Sequence, residues 1–205
     1  VQQSIRGSRY TDHIALDVLP AARPEDLAEY LASARPDVLH FAGRGTPDSG
    51  PRFSTGDGGE APVPIDGFRK AVVRAGERGL RLVVLNACWT AHVAEELGGA
   101  VHTAIGWPAE VEDRRAIDYA RTLHRNLGDG KSVAEAHNTA VLMLELSGCT
   151  AQPDLHSAPD LIPEAHFLIG YELRPFPVVQ GIKPPSFDSA DLLRKPRFRL
   201  PPPGL

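Results

Sequence analysis

Two side chains able to do chemistry stand at the ends of two short apolar runs. Cys88 closes Leu82-Val83-Val84-Leu85-Asn86-Ala87-Cys88, and Arg44 closes Val38-Leu39-His40-Phe41-Ala42-Gly43-Arg44. A cysteine acts as a nucleophile when it is partly exposed and lies near a base or a positive charge. Its commonest other fate is that of a small buried hydrophobe. A guanidinium stays protonated at any pH a protein survives, so Arg44 cannot take a proton from a thiol. It can stabilise a thiolate by charge or bind a carboxylate or phosphate. Apolar runs of this length without polar alternation read as buried parallel strands. Ligands in open α/β sheets gather outside the carboxyl ends of such strands. Neighbouring strands would therefore deliver Arg44 and Cys88 to one crevice.

An imidazole able to serve as the base has to come from elsewhere. His40 lies four residues before Arg44 on the same strand parity, which makes it a possible substitute base. The competing reading is a hydrogen-bonded core imidazole. His92 follows Cys88 by four and reads as a surface residue, as do His124 and His137 on their helices. His102 begins a strand at the end away from the crevice. Cys149 falls in a loop and receives no role. Two cysteines so far apart make no chelating pair, so no metal is expected. Gly43-Arg44-Gly45-Thr46 could cradle a phosphate, but no Gly-x-Gly-x-x-Gly or P-loop follows and Pro47 blocks a helix start. No cofactor is expected. Asp57, Glu60 and Asp66 read as solvated loop acids, and Asp113 as a helix cap.

The elements that must position these residues alternate along the chain. Strands are expected over residues 14–19, 37–43, 80–87, 101–106 and 166–171. Helices are expected over residues 24–34, 65–78, 91–97 and 113–127, the last with Ile117, Ala120, Leu123 and Leu127 facing inward. A further helix, capped by Ser132 with Glu135, runs to Leu146. Residues 46–64 are rich in Gly, Pro, Ser and Asp and read as one long loop, and residues 149–163 as another. Strand–helix alternation predicts an α/β fold with a mainly parallel central sheet and helices on both faces.

Bulk properties limit the function classes. The 205 residues are 42% hydrophobic and 23% charged, ordinary for a globular protein with a core. The division expected is a domain over residues 1–172 and a proline-rich tail or linker over 173–205. A formal charge of -4 gives no basic footprint for nucleic acid. No apolar stretch approaches the roughly 18 residues of a membrane span. Two cysteines make no disulfide framework, so a reducing, cytoplasmic setting is expected. Heavy use of Ala, Arg, Gly and Pro points to a GC-rich bacterial genome.

The strand ending Phe41-Ala42-Gly43, the Leu85-Asn86-Ala87-Cys88 end and the Ile105-Gly106-Trp107-Pro108 exit occur in a characteristic order. The helix over 113–127 follows, and then Gly128-Asp129-Gly130-Lys131-Ser132-Val133-Ala134-Glu135-Ala136. Together they resemble the CHAT domains, caspase-like cysteine peptidases whose first such strand ends in His-Gly and whose second ends in Asn-Ala-Cys. The resemblance implies a caspase-haemoglobinase-like sheet, Cys88 at the nucleophile position and Arg44 where the family carries its base. It also implies a strand ahead of residue 14 that this chain lacks, so that the domain starts short. Family members sit beside sensor or repeat modules in bacterial signalling and defence proteins, so the expected partners are proteins or peptides and other domains of the same polypeptide. The reading favoured is a catalytically degenerate, recognition or regulatory pseudo-peptidase. The alternatives are an active cysteine endopeptidase with a displaced base and a nucleotide-binding doubly wound domain.

Overall fold

A computed structural model describes residues 1–47 and 50–169. The chain opens with α1 (Gln2–Arg6) and a 3-10 turn (Thr11–His13), then α2 (Pro24–Ser33) and β1 (Val38–Ala42). A hairpin of β2 (Arg52–Ser54) and β3 (Glu60–Pro62) leads to α3 (Ile65–Gly76), β4 (Leu82–Asn86), α4 (Ala91–Leu97) and β5 (Thr103–Gly106). Then come α5 (Asp113–Gly128), α6 (Val133–Leu146), β6 (Asp154–Ser157) and a 3-10 turn (Pro163–Ala165).

The central sheet has the order β1-β4-β5-β6, with the first three strands parallel and β6 antiparallel. β4 explains why: all five of its residues are buried, which requires cover on both faces. On one face Val83, Leu85 and Ala104 pack with Leu27, Leu31, Phe68, Val72, Val93 and Leu97 from α2, α3 and α4. On the other, Leu82, Val84 and Ile105 pack with Tyr119, Leu123, Ala136, Ala140 and Leu144 from α5 and α6. Helices thus lie on both faces of a mostly parallel sheet, as strand–helix alternation predicts.

Several elements differ from the sequence-based expectation. Residues 14–19 join no ladder: Leu16, Val18 and Leu19 run exposed, and β1 pairs only with β4 among the described residues. Within residues 46–64, β2 and β3 pair, with Phe53 buried between Phe41 and Phe68. Within residues 149–163, β6 closes the sheet against β5. Of residues 166–171, Phe167 makes one isolated bridge to Ser132, and 170–171 lie outside the described residues, as does the expected tail. On α5 the inward face is carried by Ala116, Tyr119, Ala120, Leu123 and Leu127, while Ile117 is exposed. Glu112, not Asp113, occupies the cap position of that helix. Ser132 caps α6 as its sequence indicates, its Oγ accepting the Glu135 N–H at 3.2 Å.

Candidate active site

The register of β1 against β4 determines the site. Ala42 pairs with Asn86, the last rung of the ladder, and Arg44 and Cys88 each lie two residues beyond it. Both therefore leave the carboxyl ends of adjacent parallel strands side by side. The turn behind Cys88 is walled on two sides by glycines. A Cβ on Gly45 would collide with the Cys88 carbonyl, and one on Gly106 would collide with the Thr90 carbonyl. Gly45 and Gly106 are thus steric requirements of this turn.

The turn itself is held by backbone and buried polar groups. Trp89 has φ of 59°, a left-handed conformation that costs a bulky residue energy and is common near functional sites. The Thr90 hydroxyl, fully buried, donates toward the Leu85 and Ala87 carbonyls at 2.9 and 2.7 Å and accepts the Trp107 N–H at 3.2 Å. The Thr90 and Ala91 N–H groups donate to the Trp107 carbonyl. Asn86 accepts the Trp107 indole N–H at 2.9 Å and donates its amide to the Ala116 carbonyl at 3.1 Å. Trp107 in turn packs edge-on against Tyr119, whose hydroxyl shares a 2.8 Å hydrogen bond with His137.

Cys88 is half-buried and free. Its Sγ faces Val111 in the loop between β5 and α5: the Val111 N–H lies 3.4 Å from sulfur, and the thiol points to the Val111 carbonyl at 3.7 Å. This brace was invisible in the sequence because any residue but proline at 111 supplies the same backbone groups. Arg44 is exposed at the neighbouring strand end. The hairpin meets the same strand exit, where the Arg52 N–H donates to the Arg44 carbonyl at 3.1 Å.

His40 lies elsewhere. It pairs with Val84 in mid-sheet, four residues and about 13 Å of strand before Arg44. Its Nδ1 shares a 2.9 Å hydrogen bond with Nε2 of His124 on α5. Burial pushes the His40 imidazole down to about 4, and burial followed by the neighbouring His40 holds His124 well below its usual range. His124 and His137 are buried, contrary to their expected surface placement. His137 is pushed down to about 4 by burial, and the same environment raises Tyr119. His166 accepts or donates at Thr103 Oγ1, 3.0 Å away, near the opposite end of β5. His92 is exposed on the first turn of α4 and makes no hydrogen bond among the described residues. Among those residues, no group of three or more His, Cys, Asp or Glu side chains is arranged to hold a metal ion. None of their helices is long and apolar enough to cross a membrane.

A parallel α/β sheet with a cysteine at the exit of one strand, beside the exit of its neighbour, defines a caspase-like, peptidase-related class. The CHAT domain family model matches residues 3–159, more than half of the chain, and the chain belongs to the CHAT domain family. No curated protein matches it.

Proposed function

We propose that this chain is a CHAT domain whose peptidase site has degenerated, and that it works by recognition, as a regulatory pseudo-peptidase in a larger bacterial signalling or defence protein. The observation that carries this reading is the side-by-side exit of Arg44 and Cys88 from β1 and β4. Thiol acyl transfer needs a group that removes a proton and returns it to the leaving amine. Arg44 does neither, and His40, the nearest imidazole on that strand, is engaged with His124 in mid-sheet. The partners in this reading are proteins or peptides, including other parts of the same polypeptide. The edge of β1 that pairs with no other strand among the described residues supports that role, because an added strand would pair it. A reducing, cytoplasmic setting belongs to the same reading and rests on the two free cysteines.

A second reading, an active cysteine endopeptidase, draws support from the free, half-buried Cys88 just past the carboxyl end of β4. Incubating the protein with a diverse peptide library, followed by mass spectrometry, separates the two. The degenerate reading expects no cleavage that disappears in Cys88→Ala; the active reading expects such cleavage.

A further inference from the structure

The second half of α6 is apolar almost all round: Val141-Leu142-Met143-Leu144-Glu145-Leu146. Leu144 is buried against α5 and the sheet, but Leu142 and Met143 are half exposed and Leu146 is 75% exposed. Ile162, beside the 3-10 turn at Pro163–Ala165, is 66% exposed. A helix that is apolar on its outer side as well as its inner side is one that something covers. Between α6 and the 3-10 turn runs an open groove of about 510 Å³, with Leu142 in its wall and the carboxylates of Glu135 and Glu164 along its rim.

The continuing chain supplies an occupant of matching chemistry. Residues 170–205 follow Ile169, which is buried just past the 3-10 turn that forms one wall of the groove. Within them, Leu192-Leu193-Arg194-Lys195-Pro196-Arg197-Phe198-Arg199-Leu200 joins four basic side chains to four large apolar ones and has no acidic residue. Leu142 in the groove wall, with the exposed Met143, Leu146 and Ile162 outside the groove lining, offers the apolar side chains a surface, and Glu164 and Glu135, the latter 3.7 Å from Lys131, offer the basic ones carboxylates. Reach is ample: the 23 residues from Ile169 to Leu192 can extend to about 75 Å, whereas α6 with its 14 residues is about 21 Å long. Tethering also gives the tail a high effective concentration at a groove this close. We propose that residues 192–200 dock in the α6 groove of their own chain. This inference is independent of the chemistry at Cys88.

The full chain carries its own reporter, since Arg194, Arg197 and Arg199 are trypsin sites. Cleavage there, followed by mass spectrometry under brief digestion, reports the undocked population. In Leu142→Asp/Leu146→Asp, and separately in Glu135→Lys/Glu164→Lys, cleavage at 194–199 is expected to be about tenfold faster than in the parent. All four positions are solvent-facing, and a melt matching the parent's verifies the fold. If the apolar pair fails that check, the charge pair decides. Raising the salt concentration should speed cleavage in the parent and have little effect in the charge-reversed variant. Unchanged cleavage in every folded variant overturns the proposal. So does a dimer that the groove substitutions dissociate without altering cleavage, since a second copy would then be the occupant.

Discussion

His40 and Arg44 sit four residues apart on one strand and meet opposite fates. His40, in mid-strand, faces α5 and is tied to His124 at 2.9 Å, so its imidazole is neutral and enclosed. Arg44, two residues past the last rung, is exposed beside Cys88, where an imidazole would be of use. The contrast teaches that place on the strand and residue type together decide what can react: the imidazole in mid-sheet is away from the crevice, and the guanidinium at the strand exit cannot take up a proton. The histidines of the α5–α6 face hold the fold, and the cation at the strand exit cannot shuttle protons.

The largest effect expected from this contrast is acid sensitivity of the histidine-rich interior. His40, His137 and His166 are each pushed down to about 4, with burial as the main cause. Between their unfolded value near 6.5 and about 4, the unfolded chain binds more protons than the folded one. Stability is therefore complete above 6.5 and is lost progressively as the pH falls toward 4. Urea denaturation at a series of pH values should show this slope, and His137→Gln, which can still pair with Tyr119, should reduce it. A flat profile would mean that these imidazoles are not buried neutral.

Next in size is the scaffold behind the cysteine. Trp107→Ala removes a ring that is 1% exposed and leaves the side-chain Oδ1 of Asn86 without its indole donor. A loss of about 3–5 kcal/mol is expected in chemical denaturation. Gly45→Ala presses a methyl group into the Cys88 carbonyl and should cost about 1–3 kcal/mol. It should also change the rate at which Cys88 reacts with an alkylating reagent, read by mass spectrometry; an unchanged rate would show that the strand exit does not set the thiol's position. The smallest effect belongs to Arg44 itself. Because it is exposed, Arg44→Ala should alter stability by no more than about 0.5 kcal/mol.

Much of this was legible in the sequence. The unbroken apolar runs ending at Ala42 and Ala87 identified the two site strands, and the helix over 91–97 and the Ser132 cap could be read from local signals. What escaped depends on partners far away in the chain. Ile14 to Leu19 has strand composition but no ladder. Asp154-Leu155-His156-Ser157, between Pro153 and Pro159, reads as loop, and becomes a strand only because β5 offers it an edge. His124 and His137 were expected at the surface because a polar residue on an amphipathic helix usually faces water. Their burial depends on His40 and Tyr119, 84 and 18 residues away.

The most direct test compares the parent with Arg44→His under identical conditions, each with and without Cys88→Ala, following release of new peptide amino termini. The degenerate-site account predicts no Cys88-dependent cleavage in the parent and measurable Cys88-dependent cleavage in Arg44→His, because an imidazole at this strand exit can both accept and return the proton. Cleavage by the parent that vanishes in Cys88→Ala would contradict it.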